Sequence, residues 1–179
     1  MLNLQFMEIS KEIQKRCLVE FVFVEGFIEI DSDYFIKKIQ EGCQKPDNLN
    51  AKTNVGGIMT SFQYFVKDEK FINIITQFID HVDANYSFQK YRLTEAWGFA
   101  VGHRQKTKNH NHQGNVISGV LYLNEHHQTL DFPEINQSVK PEKGKFALFS
   151  SHLHHGCEIN KINKDKWGLS FNMGEVKDW

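Results

Sequence analysis

The chain has 179 residues, 40% of them apolar and 24% charged, which suits a single soluble globular domain with a sizeable core and does not fit a disordered sequence. A formal net charge of -1 gives no general field that would draw nucleic acid or an anionic membrane, so the expected partner is a small molecule or a peptide. Cys17, Cys43 and Cys157 are an odd number at wide spacing, which argues against a secreted disulfide framework; with no apolar signal core and no bilayer-length apolar run, a cytoplasmic location is expected.

Met1 to Arg16 reads as either a short helix through Phe6, Ile9 and Ile13 or an arm. Cys17 to Val24 and Phe27 to Ile30 are β-rich and interrupted by Glu25-Gly26, which predicts two strands joined by a tight turn. Asp31 or Ser32 can cap a helix carrying Phe35, Ile36 and Ile39 that stops near Gly42. Lys45 to Gly57 is rich in breakers and predicts a loop. From Asp68, the residues Phe71, Ile74, Ile75, Phe78, Ile79 and Val82 recur every three or four positions. That period predicts a helix lying on the outside of a sheet, with Lys70, Gln77, Asp80 and Asp83 facing water.

From Tyr91 the period becomes two. Trp97, Phe99 and Val101 alternate with Ala96, Gly98, Ala100 and Gly102, giving a bulky face and a nearly bare one. A bare face leaves room for a ligand inside a barrel or admits another strand, and the first reading places Ala96, Gly98 and Ala100 near a substrate. Further strands are expected at Val116 to Asn124, Thr129 to Phe132, Lys145 to Ser150, His155 to Ile159 and Trp167 to Met173. Asn124 to Gln128 reads as a polar hairpin turn and Pro133 to Gly144 as a long polar loop. The expectation is one mainly β domain with flanking helices over 1–179, a jelly-roll or cupin-like double-stranded β-helix, with supporting elements in 17–90 and core strands in 91–174.

Eight of the nine histidines fall between His103 and His155. His110 and His112 alternate on an extended segment, so both imidazoles point one way and can share an ion. A remote third ligand comes from Phe149 to Cys157, where His155 leads directly into a strand and His154 is the fallback. His126 and His127 sit beside Glu125 in the expected turn and read as solvated. A close pair plus a remote residue leaves one side of an ion open, as Fe(II) needs for oxygen and a co-substrate. Three histidines also suit an open zinc site, but no Asp or Glu beside the pair offers itself as a base.

Ala96-Trp97, His110-Asn111-His112 with Ser118 to Leu123, Phe149 to His155, and Lys166 with Ser170-Phe171-Asn172 resemble, in order and spacing, the 2-oxoglutarate and Fe(II)-dependent oxygenases. The resemblance covers roughly the C-terminal half. It implies a double-stranded β-helix, Fe(II) and 2-oxoglutarate as cofactors, O2 as co-substrate, and oxidation of a C–H bond with release of succinate and carbon dioxide. It makes His110, His112 and His155 the metal ligands, with His112 where most of the superfamily has Asp or Glu. Lys166 would stand in for the family's usual Arg as anchor of the distal carboxylate, helped by Tyr122 and Ser170. The alternatives are a three-His cupin-type dioxygenase that uses no 2-oxoglutarate and a non-catalytic metal-binding jelly roll.

Overall fold

A computed structural model describes residues 21–86 and 91–176. The predicted arm or helix at Met1 to Arg16, and the start of the first predicted strand, lie outside the described residues. In chain order the elements are β1 (Phe23–Phe27), α1 (Ser32–Gly42), β2 (Ile58–Met59), α2 (Glu69–Tyr86), β3 (Tyr91–Val101), β4 (Thr107–His110), β5 (Ile117–Tyr122), β6 (Leu130–Phe132), β7 (Gln137–Val139), β8 (Lys145–Ser150), β9 (His155–Cys157) and β10 (Lys166–Glu175). Six strands form a major sheet in the order β1-β8-β5-β10-β3-β2, and four form a minor sheet in the order β4-β9-β6-β7. Every pairing between named strands is antiparallel.

The period-two pattern sorts side chains to the two faces of the major sheet. Leu121, Leu148, Leu169 and Phe171 join an outer core with Phe35 and Ile39 of α1 and Phe71, Ile75 and Phe78 of α2. Phe171 meets Phe71 and Phe78 at ring-centroid distances of 5.8 and 5.7 Å. Their neighbours on the opposite face, Trp97, Phe99, Val120, Tyr122 and Phe149, form an inner core with Leu130, Phe132 and Cys157 of the minor sheet. Both helices therefore buttress the outer face, as the apolar stripe of α2 predicts, and the ends of the inner space are left to the loops. Each helix is capped by an aspartate: Asp31 Oδ1 accepts from the Tyr34 amide at 3.2 Å and Asp68 Oδ1 from the Phe71 amide at 3.1 Å. The side chain of Val82, the last position of the stripe, lies outside those described.

Three expectations are corrected. Glu25-Gly26 makes no turn; β1 runs straight through it beside β8, with Gly26 opposite Phe146. A side chain at Gly26 would come within 2.9 Å of the Phe146 ring, so this glycine makes room for a neighbour. The polar segment between Pro133 and Gly144 contains β7, which pairs with β6 and borders the minor sheet. The bare face of β3 turns away from the inner space: a Cβ at Gly98 would lie 2.2 Å from Ile39 of α1, so the small residues admit a helix. The bulky face, with Trp97 and Phe99, is the one that looks inward.

Candidate metal centre

His110 ends β4 and His155 begins β9, and the antiparallel register sets the two directly opposite each other. Their ring centroids are 4.5 Å apart. His112 lies just beyond the end of β4, so the pair does not share one strand as the alternation implies. The loop brings the second imidazole round instead: the His112 amide donates to the Ser151 carbonyl at 2.8 Å, and the ring lies 5.8 Å from Trp97. One ligand atom from each of His110, His112 and His155 falls within 4.8 Å of the others. Nitrogens bound to one ion at about 2.1 Å lie no more than about 4.2 Å apart, so small side-chain rotations bring all three into bonding range.

The protonation chemistry suits a donor set. The Nδ1–H of His110 donates to the Lys108 carbonyl at 2.8 Å and that of His155 to the Leu153 carbonyl at 3.0 Å. A carbonyl can only accept, so Nδ1 carries the proton and Nε2 keeps its lone pair for a metal. Burial, reinforced by the His110 imidazole, lowers His112 to about 4 and His155 to about 3; His110 is lowered by burial as well. All three are neutral at physiological pH, as ligands must be.

The imidazoles border an inner cavity that Tyr122, Lys166, Ser170 and Cys157 also line. Lys166 is only 1% exposed, and its Nζ donates to the Gln128 carbonyl at 3.3 Å and to Cys157 Sγ at 3.0 Å. Among the described residues it has no carboxylate partner. A buried lysine normally takes a carboxylate partner or serves a function, so a lysine aimed into a cavity is a ready receptor for an anion. The Tyr122 and Ser170 hydroxyls line the same cavity with no hydrogen-bond partner among the described residues. Burial first, then Cys157 and Asp131, pushes the Tyr122 hydroxyl well above its usual range, which keeps it an O–H donor. On the adjacent strand of the same sheet, β10 sets Gly168 directly opposite Tyr122 and carries Lys166 and Ser170 on that same face.

The competing histidines are placed elsewhere. His154 turns to the surface, where its Nδ1 meets Glu134 Oε1 at 2.7 Å, and His103, His127 and His152 are exposed. His126 is a correction, because it is 2% exposed and not solvated. Its Nδ1 accepts from the Gln128 amide at 3.0 Å while Nε2–H donates to the Lys164 carbonyl at 3.0 Å. It thereby holds the residue whose carbonyl receives Lys166. Sequence reasoning also missed Gln128, Cys157 and Glu95; parity with Trp97 would have set Glu95 on the inner face of β3, while nothing local marks the other two.

No protein-family profile matches the chain, and no curated protein matches it in sequence. Solved structures do. The 2-oxoglutarate complex of the viral collagen prolyl hydroxylase from Paramecium bursaria Chlorella virus-1 superposes with a TM-score of 0.65 at 16% identity, over 87% of this chain and 96% of that one. A Pseudomonas putida prolyl-4-hydroxylase gives 0.65 at 12% identity over 87% and 93%. A Burkholderia pseudomallei oxidoreductase of the 2OG-Fe(II) oxygenase family gives 0.61 at 11% over 92% and 89%. With two antiparallel sheets enclosing the inner core, the chain has a double-stranded β-helix fold, the fold it shares with these solved structures.

Proposed function

We propose that this protein is an Fe(II)- and 2-oxoglutarate-dependent dioxygenase that oxidises a C–H bond of a small-molecule or peptide substrate. In that reaction 2-oxoglutarate and O2 become succinate and carbon dioxide, one oxygen atom enters succinate, and the other enters the substrate as a hydroxyl. The observation that carries the reading is one cavity with three neutral imidazoles and a buried lysine among its walls.

His110, His112 and His155 would hold the iron, whose contribution when bound is to activate oxygen. Lys166 would receive the distal carboxylate of the co-substrate, with Tyr122 and Ser170, which line the same cavity, as hydroxyl donors. Lysine is a point charge without the two-pronged fork of arginine, so the hydroxyls supply the direction that the ammonium does not. Phe149 and Phe132, whose rings lie 4.7 and 5.6 Å from His155, keep water from that side of the triad.

The third imidazole favours one other reading, a three-His dioxygenase without 2-oxoglutarate, because a neutral His112 leaves an iron one negative charge short of a His-His-carboxylate site. Against it stands Lys166, which such an enzyme would have no reason to bury. Anaerobic titration with Fe(II) separates the two. A weak visible charge-transfer band that appears only when 2-oxoglutarate is added is the expected result. Iron uptake with no band and no change in affinity on adding 2-oxoglutarate would refute the proposal in favour of the three-His reading, and no iron uptake would refute both.

A further inference from the structure

The two ends of the site differ in charge. Among the described residues the inner cavity is lined by Lys166 and by no carboxylate. On the outer side, His110 and His112 border a groove of about 420 Å³ whose lining, among the described residues, contains a single formally charged side chain, Glu95, and no lysine or arginine. Trp97, Phe62, Asn115 and Asn172 share that lining.

Glu95 is held in place. It lies on the inward face of β3, two residues from Trp97 and directly opposite Asn172 of β10. Asn172 Nδ2–H donates to Glu95 Oε2 at 2.6 Å, and Asn172 Oδ1 accepts from Ser118 Oγ at 2.7 Å. Ser118 Oγ is 2.8 Å from Ser151 Oγ, and Ser151 is the residue whose carbonyl anchors the His112 amide. A continuous chain of hydrogen bonds thus joins this carboxylate to the loop that carries one of the imidazoles, which gives it the rigidity of a preformed binding group. Glu95 Oε1 has no hydrogen-bond partner and Glu95 enters no ion pair among the described residues. Beside it, the rings of Trp97 and Phe62 meet edge to face at 5.1 Å, and Phe62 is 37% exposed at the groove's edge. A carboxylate with a free oxygen next to aromatic rings attracts a cation twice, by charge-assisted hydrogen bonding and through the ring faces. An anionic group, by contrast, meets a like charge here and a receptive lysine further in.

We infer that the substrate carries a cationic nitrogen, a primary ammonium or a guanidinium, that seats against Glu95 and the Trp97–Phe62 pair, with its carbon chain directed toward His110 and His112. The word substrate rests on the oxygenase reading; the cation site itself rests on the groove alone. The test is calorimetric titration of the full-length protein, first without added metal and then loaded anaerobically with Fe(II) and 2-oxoglutarate. The probes are cadaverine, agmatine and the peptide acetyl-Gly-Lys-Gly-amide, each against a neutral counterpart: 1-hexanol for the two amines and acetyl-Gly-norleucine-Gly-amide for the peptide.

At least one cationic probe is expected to bind about tenfold tighter than its neutral counterpart in both states. Whichever of free amine and peptide binds tighter names the source of the cation. Glu95→Gln retains an oxygen to accept from Asn172 and is expected to abolish the preference while leaving the affinity of the neutral counterparts unchanged. Equal affinity of cationic and neutral probes, no binding by any cationic probe, or an undiminished preference in Glu95→Gln would each overturn the inference. A preference that holds without metal while the charge-transfer band never appears confirms the cation site and removes the oxygenase reading.

Discussion

Lys166→Met separates the proposed anchor from the metal centre. The substitution keeps an unbranched side chain of similar length in a site that is 1% exposed and removes the ammonium that shares a cavity wall with Tyr122 and Ser170. Removing one partner of a buried, hydrogen-bonded charge pair costs about 2–5 kcal/mol. Because two hydroxyls remain to hold the carboxylate, the lower half of that range applies, and about 3 kcal/mol weakens 2-oxoglutarate a little over a hundredfold. Iron affinity should stay within about twofold, since the lysine is no ligand. Stability should hold or rise, because among the described residues Lys166 has only the Gln128 carbonyl and Cys157 Sγ as partners and an apolar side chain in its place ends the cost of burying it. The assay is anaerobic titration of the Fe(II)-loaded variant with 2-oxoglutarate, followed by the visible band, with urea unfolding alongside. A dissociation constant within about threefold of wild type would remove Lys166 from the co-substrate site and the reasoning with it.

Three further outcomes are expected. His112→Asp restores a negative ligand and should tighten Fe(II) by about tenfold and raise succinate formation; weaker iron binding in both this variant and the longer His112→Glu would show that His112 does not face the ion. Stability of the metal-free protein should fall as the pH drops from about 6.5 toward 4. His112 and His155 are depressed to about 4 and about 3, so over that window the unfolded chain binds protons that the folded chain refuses. The slope approaches about 1.4 kcal/mol per pH unit for each group, and flat urea midpoints between pH 7 and 4 would contradict the buried, neutral imidazoles. Gly98→Ala puts a methyl group 2.2 Å from Ile39 and should destabilise the fold by about 2 kcal/mol in urea unfolding. Iron affinity should not change in that variant; a marked loss would mean the bare face of β3 belongs to the site after all.

Local pattern carried most of the fold. The stripe from Phe71 to Phe78 and the alternation around Trp97 are properties of residues near in sequence, and period alone assigns them to helix and strand. The same parity sets Lys166 and Ser170 on one face of a strand, and the resemblance names His110, His112 and His155. What failed did so where a neighbour from far along the chain decides the outcome. Gly26 has the composition of a turn, yet the Phe146 ring opposite it requires the gap within a strand. The bare face of β3 has no sign of its own; α1 packing through Ile39 makes it the outer one. His126 sits in a polar run, and only the return of the chain at Lys164 and Gln128 buries and pairs it.

The sequence by itself determined most of the strands, both described helices and the mainly β class through residue chemistry and short-range period, and the resemblance it carries named three imidazoles and one lysine worth bringing together. Only the tertiary structure decided which face of each strand looks inward, that the register of β4 against β9 sets His110 opposite His155, that Lys166 is buried with no carboxylate partner among the described residues, and that Glu95 shares the outer groove with His112. Those are relations between residues tens of positions apart, set by sheet pairing and core packing, and no local stretch of chain encodes them.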